Sequence, residues 1–392
     1  MKTMDSFVAD LHTSLTGQRG INSTAIMSTG KEFTSALGNQ RISNLESLSN
    51  VFFVPEFLVG LFSTIYIFVL RPQLVHIQHE YRWLNHSLVL FAMILISKIS
   101  GSKLIVTMHS VLYEPSNSNN LGESMSGNIS LTKFIKKQYV RFLNRLIVFF
   151  SISVLVHSKP DLDRLDRLDA SHSKVLELST LLVPSYNVNS KIVCSSKKTP
   201  SEICLVVPGY IEMRKGQDIA IHIIDELLSL GMAAHLHIVG STQSHDGERF
   251  LSKIRRMAGE RSERVLLDCR YLTYEELTSY IESADSVLLP YRLKGSTEVI
   301  QSNGSAVFSL AVAASKPTIV TAIPYFESIL SPKLQCLLFD ENQPKAAACI
   351  INWIFSSDTI LRSLQERIYE IYQQKFSIEQ VTNKHMEIYM KA

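Results

Sequence analysis

The stretch VVPGYIEMRKGQDIAIHIIDELLSLGMAAHLHIVGS, from Val206 to Ser241, contains a complete strand–turn–helix–strand unit. Its first apolar run ends at Pro208 and Gly209, and Lys215 stands just before the long helical pattern. The turn is either a simple packing turn or the seat of an anionic ligand. A helix N-terminus suits an anion because its first N–H groups are unpaired and its dipole is positive there.

Units of this kind recur on both sides of a polar, serine-rich segment at residues 186–202. Strands that alternate with helices are typical of βαβ units and parallel sheets. We therefore predict an α/β protein with two Rossmann-like, doubly wound domains that face each other across a cleft. The domains are residues 1–185 and 203–370, the linker is 186–202, and a helical tail at 371–392 is expected to pack back on the N-terminal domain.

The composition excludes several classes of protein. Hydrophobic residues make up 46% of the chain and charged residues 19%, which indicates a large core rather than disorder. A net charge of +3 is too small to indicate nucleic-acid binding. The five cysteines form no C-x-x-C pair, which favours reduced thiols in the cytoplasm. Residues 1–20 lack the apolar core of a signal peptide, so we predict no export.

Two apolar stretches, Val51–Leu70 and Leu84–Gly101, raise the question of a membrane span. Pro55 and Glu56 interrupt the first stretch, and the apolar run after Gly60 is shorter than the roughly 20 residues that a spanning helix needs. We therefore predict that both stretches form buried helices.

Polar residues follow several of the predicted strands, where doubly wound sheets bind their ligands. His79, Glu80 and His109 follow strands of the first half. The candidates in the second half are Gly209, Tyr210, Arg214, Lys215, Arg270, Tyr271, Ser302, Asn303, Gly304 and Ser305. Each of them alone is compatible with an ordinary turn or helix cap.

Their joint placement favours phosphate binding. Gly304 would let a ligand approach the backbone, and Ser302, Asn303 and Ser305 can cap a helix or bind the ligand. Lys215 and Arg214 supply positive charge. No Asp-x-Asp pair stands at a strand end, so we expect neither a metal ion nor another cofactor.

Three segments resemble the donor domain of a GT-B glycosyltransferase of retaining glycosyltransferase family 4. They are GYIEMRKGQDIAIHII, YLTYEELTSYIESADSVLLPYR and GSAVFSLAVAASKPTIVTAIPYFESIL, and the similarity runs from about Glu202 to Asp340. HIQHEY and KLIVTMHS resemble the acceptor domain more loosely. The resemblance implies an enzyme that moves a hexose from a nucleotide-diphosphate sugar to a glycan or lipid-linked acceptor.

The resemblance also implies roles for individual residues. Lys215 would hold the donor diphosphate, assisted by backbone N–H groups of Gly304 and Ser305. The backbone at Arg270, Tyr271 and Leu272 would face the base. His109 would match the catalytic-loop histidine, and the pair His79 and Glu80 would lie on the acceptor side.

The chain departs from the family pattern in three places. Tyr210 stands where the family has an arginine, and Ser302 and Leu310 replace the two glutamates of its E-x7-E pair, although Glu298 lies near. The first strand and its glycine-rich loop are also not recognisable, either because the start is truncated or because the site is built without them. A non-catalytic GT-B-like binding or partner subunit therefore remains the alternative.

The segment Leu131–Phe150 predicts a basic amphipathic helix. Its basic residues are Lys133, Lys136, Lys137, Arg141 and Arg145, and its apolar side contains Phe134, Ile135, Phe142, Leu143, Leu146 and Ile147. The apolar side either packs on the sheet with the basic side in water, or the helix makes a peripheral contact with the inner face of the membrane.

Overall fold

The computed structural model describes Leu11, Leu15 and residues 25–28, 51–54, 59–79, 87–109, 111–113, 131–168, 175–177, 202–292, 300–301, 305–330 and 332–392. Across these residues the chain is an α/β protein with one main parallel sheet in each half. The predicted fold class is therefore confirmed.

The N-terminal half is built around a parallel sheet whose described strands, in spatial order, are Leu74–His79, Lys103–Met108, Ser153–Val156 and Val175–Glu177. A separate parallel pair of strands, Ala25–Ser28 and Val51–Val54, lies outside that sheet. The elements are β1 (Ala25–Ser28), β2 (Val51–Val54), α1 (Val59–Leu70), β3 (Leu74–His79), α2 (Ser87–Ile99), β4 (Lys103–Met108), β5 (Leu112–Tyr113), α3 (Leu131–Phe150), β6 (Ser153–Val156), α4 (Lys159–Asp166) and β7 (Val175–Glu177).

The C-terminal half begins with a second parallel sheet and ends in three helices. Its elements are β8 (Ile203–Pro208), a 3₁₀ turn (Met213–Lys215), α5 (Gln217–Ser229), β9 (Ala234–Val239), α6 (His245–Gly259), β10 (Val265–Asp268), α7 (Tyr274–Ser283), β11 (Ser286–Leu289), β12 (Ile300–Gln301), α8 (Ala306–Ala313), β13 (Thr318–Thr321), α9 (Pro324–Ile329), a 3₁₀ turn (Pro332–Leu337), β14 (Leu338–Phe339), α10 (Pro344–Phe355), α11 (Asp358–Ile371), a π turn (Tyr372–Phe376) and α12 (Ile378–Lys391).

The strand order of this second sheet is β10-β9-β8-β11-β13-β14. This is the doubly wound Rossmann order, in which the second and third strands are added on one side of the first strand and the fourth to sixth strands on its other side. The change of side lies between β8 and β11, so the crevice that such sheets offer to a ligand opens at the carboxyl ends of these two strands.

Local sequence signals explain where several helices begin. Thr273 and Glu276 form a reciprocal capping box at the start of α7. The hydroxyl oxygens of Ser158 and Ser244 accept backbone N–H bonds at the starts of α4 and α6. These caps satisfy N–H groups that the helices cannot pair internally.

The two faces of the N-terminal sheet are covered by different parts of the chain. Helices α1, α2 and α3 supply Ile67, Ile94 and Ile147 to the hydrophobic cluster on one face. On the other face, Ile105 and Leu155 pack with residues of α12, at the end of the chain.

The prediction of one helix over Val51–Leu70 is wrong. Val51–Val54 is strand β2, paired with β1, and the helix begins at Val59. The prediction that this helix is buried is also wrong for much of its surface. Five of its apolar side chains are 52–66% exposed, and they are Leu61, Ile65, Phe68, Val69 and Leu70.

Helix α2 is confirmed, but it too exposes apolar side chains, namely Phe91, Leu95 and Ile99. No helix within the described residues is long and apolar enough to cross a membrane.

Helix α3 has the predicted bounds, with a mixed outer face. Leu143 and Ile147 are buried, as predicted. Phe142 was placed on the same apolar side, but it is 58% exposed and stands beside the exposed Arg141. The inner face is a narrow stripe, since one side of the helix is enough to cover the sheet.

The two halves are joined by a short pair of strands. Ile300 and Gln301 of β12 pair antiparallel with Tyr113 and Leu112 of β5. The segment that follows β11 in the second sheet therefore bonds directly to the segment that follows β4 in the first.

Phe308 anchors α8 in the C-terminal core, where it is 1% exposed and packs on the rings of Phe326 and Phe376. We expect Phe308→Ala to lower the free energy of unfolding by about 3–5 kcal/mol, because it removes buried area and leaves a cavity. Urea denaturation measures this loss. Phe149→Ala, at a side chain that is 72% exposed, is the control and should change stability by less than about 0.5 kcal/mol. Equal effects of the two changes would contradict the packing described here.

Candidate functional site

The candidate site lies at the crevice between β8 and β11. Gly209 and Tyr210 follow β8, and the 3₁₀ turn at Met213–Lys215 leads into α5. Tyr291 follows β11 on the other side of the crevice. The strand order of the sheet thus brings the segment after β8 next to the segment after β11.

Gly216 fixes the position of the turn. Its φ is +69°, and a Cβ atom at this residue would lie 1.9 Å from the carbonyl oxygen of Pro290. Only glycine allows both this backbone angle and this close approach. The residue before it, Lys215, is therefore held against the end of β11.

Lys215 places its ammonium over an aromatic ring in the crevice. Its Nζ lies 3.8 Å from the centroid of the Tyr291 ring, in a cation–π contact. Burial lowers the pKa of Lys215, and the nearby Tyr291 works in the opposite direction. The ammonium is thus partly stripped of water, which strengthens its attraction for an anion.

The neighbouring cations already have acidic partners. Arg292 binds Asp218 with an N–O distance of 2.9 Å, and Lys253 binds the same carboxylate at 2.6 Å. Burial alone would raise the pKa of Asp218, but the hydrogen bonds from Arg292 and Lys253 together lower it. Arg214 lies 3.7 Å from Glu212. Lys215 differs from these three basic residues, because its ammonium contacts the ring of Tyr291.

Ser305 connects the crevice to helix α8. Its Oγ accepts a hydrogen bond from the N–H of Phe308, at 3.2 Å, and lies 3.0 Å from the Tyr291 hydroxyl. Burial raises the pKa of Tyr325, and a hydrogen bond with the backbone of Ser305 opposes this. The side chain of Ser305 is 3% exposed. Through these hydrogen bonds it caps α8 and positions the Tyr291 hydroxyl.

Several predicted residues lie outside the described part of the chain. They are Glu80, Glu298, Ser302, Asn303 and Gly304. Leu310, at the second glutamate position of the family pattern, is described and is 5% exposed within the core.

In the segment after β10, Arg270 forms salt bridges with two neighbouring acidic residues. Arg270 lies 3.1 Å from Asp268 and 2.6 Å from Glu276. Leu272 is buried in the core, and Tyr271 is partly exposed. The side chains of Arg270 and Leu272 thus shape this turn.

Three histidines end neighbouring strands of the N-terminal sheet. His79 ends β3, and His109 and His157 follow β4 and β6. The Nε2 of His109 lies 2.8 Å from Gln78 Oε1, and its Nδ1 lies 3.2 Å from His157 Nε2. Burial, and then the neighbouring His157, hold the pKa of His109 well below its usual value. Burial lowers the pKa of His79 to about 4. The rings of His79 and His109 are therefore neutral at neutral pH.

Some residues of the site were not identified from the sequence. His157 could have been found, because SVLVHS has the same strand-ending histidine as LVHIQH and KLIVTMH. Gln78 and Asp218 carry no such signal, since their roles depend on which strands and loops become neighbours.

The C-terminal half matches a known family. Residues 202–357 match the sequence profile of the family Glycosyl transferases group 1. No curated protein sequence is significantly similar to the chain.

Solved structures resemble the chain over nearly its whole length. HepE of Anabaena, in complex with UDP and glucose, has a TM-score of 0.64 at 13% identity, covering 99% of this chain and 96% of that one. A glycosyltransferase of Rickettsia africae has a TM-score of 0.63 at 13% identity, covering 99% and 94%. A trehalose-6-phosphate synthase has a TM-score of 0.60 at 10% identity, covering 92% and 85%. The fold is GT-B. The predicted enzyme class, a glycosyltransferase, agrees with the family match of the C-terminal half.

Replacing the glycine that holds Lys215 should damage the site. We expect Gly216→Ala to lower the free energy of unfolding more than Gly231→Ala does, by about 1–3 kcal/mol, because the new Cβ meets the Pro290 carbonyl. Gly231 is the matched control, with φ +77° and nothing within 4 Å of an added Cβ. It should show only the backbone strain of about 1–2 kcal/mol. Equal losses, measured by urea denaturation, would contradict the close approach.

Proposed function

We propose that the chain is a retaining glycosyltransferase that moves a hexose from a nucleotide-diphosphate sugar to a glycan or lipid-linked acceptor. The observation that carries this proposal is the position of Lys215, fixed by Gly216 and Tyr291 at the crevice between β8 and β11. The donor diphosphate would lie in that crevice, which is where doubly wound sheets bind nucleotides.

Lys215 has the chemistry that the transfer needs. As the bond from the anomeric carbon to the diphosphate breaks, negative charge grows on the leaving oxygen. A fixed, partly desolvated ammonium stabilises this growing charge in the transition state more than it stabilises the intact donor. It therefore lowers the barrier to transfer. Closure of the two halves would exclude water, which limits hydrolysis of the donor.

The structural relatives suggest which donor to test first. The Anabaena protein binds UDP and glucose, and the trehalose-6-phosphate synthase was studied as an enzyme that transfers glycosyl groups with retention. The resemblance to family 4 points the same way. A UDP-hexose and retention of the anomeric configuration are therefore the starting hypothesis.

We assign His109 to the wall of the sugar site, because it follows β4 at the carboxyl edge of the N-terminal sheet. Its contact with His157, at 3.2 Å, is longer than its contact with Gln78, at 2.8 Å. A sugar hydroxyl would take the place of His157 as the partner of His109 Nδ1.

A non-catalytic GT-B-like subunit remains the second hypothesis. It is favoured by Leu310, since this core side chain offers no carboxylate to a donor ribose. A subunit of this kind would bind the nucleotide sugar without turnover, or would not bind it at all.

Lys215→Met tests the proposed donor site. We expect the dissociation constant for the donor to rise about 10- to 100-fold, because a charge-assisted contact with the diphosphate is lost. A thermal-shift panel of UDP-, GDP- and ADP-sugars identifies the donor, since a ligand at a hundred times its dissociation constant adds about 2.7 kcal/mol. Titration calorimetry then compares the variants.

The exposed Lys345 provides the matched control, since Lys345→Met also removes one lysine charge. Equal affinity in wild type and Lys215→Met would overturn the role of Lys215. Donor binding without transfer to any acceptor or to water would favour the non-catalytic subunit.

A lipid-linked acceptor is supported by the outer surface of the N-terminal half. Helix α1 packs beside α2, and α2 contacts α3. Together they expose a surface that we call the apolar face, made of Leu61, Ile65, Phe68, Val69, Leu70, Phe91, Leu95, Ile99, Phe142 and Phe149. The exposed Arg141 and Arg145 stand on the same helix as Phe142 and Phe149. Apolar side chains beside basic ones suit a peripheral contact with an anionic bilayer.

Vesicle sedimentation tests this contact. We expect the chain to bind phosphatidylglycerol-containing vesicles at low salt and to bind less at high salt, because screening weakens the basic contribution. Phe68→Ser should reduce binding several-fold, since it removes apolar area from the apolar face. Met390→Ser on α12, at a side chain that is 80% exposed, is the control. No binding, or equal binding by both variants, would leave a glycan acceptor as the proposal.

A further inference from the structure

A continuous path of hydrogen bonds runs from the last helix of the chain to His109. The hydroxyl of Tyr389 on α12 lies 2.5 Å from His76 Nδ1. His76 Nε2 lies 3.2 Å from Gln78 Nε2, and Gln78 Oε1 lies 2.8 Å from His109 Nε2. The first hydrogen bond of the path joins Tyr389 and His76, which are 313 positions apart in the sequence.

The sheet brings these side chains into line. His76 pairs with Ile105 and Gln78 with Thr107 in the parallel register of β3 and β4. Alternate residues of a strand share a face, so His76 and Gln78 stand on the face that α12 covers. Thr107 also contacts the path, with its Oγ1 2.7 Å from His76 Nε2.

The orientation of the Gln78 side-chain amide determines where each proton sits. The amide nitrogen of Gln78 only donates, so His76 Nε2 accepts, and the proton of neutral His76 is on Nδ1, donating to Tyr389. The amide oxygen of Gln78 only accepts, so His109 Nε2 carries the proton of that ring. His109 Nδ1 is then an acceptor.

The rings of the path are held in place by packing. The centroid of the His76 ring lies 5.6 Å from that of Tyr389 and 5.7 Å from that of His385. The His385 Nδ1 lies 2.8 Å from the carbonyl oxygen of Val381, within the same helix. Burial keeps the pKa of His76 well below its usual value, with a smaller effect of His385, so His76 stays neutral.

We propose that Tyr389 and His76 are positioning residues that act through Gln78 to set the tautomer of His109, and so make its Nδ1 an acceptor for a hydroxyl of the transferred sugar. This inference rests on the proposed function of the site. Without the Tyr389 oxygen, the Nδ1–H of His76 loses its acceptor, which favours the tautomer protonated on Nε2, where Thr107 Oγ1 can accept. The Gln78 amide would then turn, and His109 would carry its proton on Nδ1, where it no longer accepts.

Nitrogen NMR of the full-length chain labelled with ¹⁵N-histidine tests the path without any assay of activity. Loss of its signals in His109→Asn identifies the His109 ring. We expect a protonated Nε2 and an unprotonated Nδ1 in the wild type, and a shift of the proton toward Nδ1 in Tyr389→Phe. A wild-type ring with its proton on Nδ1, or an unchanged tautomer in Tyr389→Phe, would overturn the proposal.

Kinetics then test the consequence for transfer. We expect Tyr389→Phe to lower kcat about three- to tenfold, with the donor KM unchanged within about twofold, because one hydrogen bond is lost and the ring stays. In a His109→Ala background the same change should have no further effect, since Tyr389 acts through His109. Additive losses would overturn the proposal.

Two further variants separate this path from a general loss of structure. Tyr372→Phe, in the C-terminal core, removes a buried hydroxyl outside the path and should leave kcat unchanged. Gln78→Met cuts the path from within the sheet and should lower kcat as Tyr389→Phe does; an unchanged kcat would count against the proposal. If no nucleotide sugar supports turnover, the proposed function fails, and the NMR result alone decides the hydrogen-bond path.

Discussion

The approach of Gly216 to the carbonyl oxygen of Pro290 is the constraint on which the C-terminal site depends. It joins the turn after β8 to the end of β11, at the point where the strand order reverses. No side chain fits between these two backbones. Their close approach places Lys215, the residue before Gly216, in the crevice and over the ring of Tyr291. The salt bridges of Asp218 with Arg292 and Lys253 also hold the start of α5 in place.

The two halves are connected by a pair of strands and by the last helix. β12 pairs with β5 next to the strand-ending histidines, and α12 returns from the C-terminal half to cover one face of the N-terminal sheet. Through Tyr389, helix α12 reaches His76, and so the N-terminal half is completed by residues that follow the C-terminal sheet.

Much of the fold could be predicted from the sequence, because strand and helix periods and turn residues are local signals. The strand at Lys103–Met108, the helix Leu131–Phe150 and the helix after Ser305 were found in this way. Val51–Val54 was missed, since a short apolar run before a helix has no period of its own. Lys215 was identified by its turn, whereas the pairing of Gln78 with His109 depends on strand register, which single residues do not reveal.

The central claim is that the crevice between β8 and β11 holds the donor diphosphate on Lys215. A crystal structure of the chain with UDP, or with the nucleoside diphosphate of the donor that binds, tests it most directly. The account predicts a phosphate oxygen about 2.7–3.2 Å from Lys215 Nζ, with the nucleotide at the carboxyl ends of these two strands. A diphosphate bound elsewhere, with Lys215 still on the Tyr291 ring and out of its reach, would contradict it.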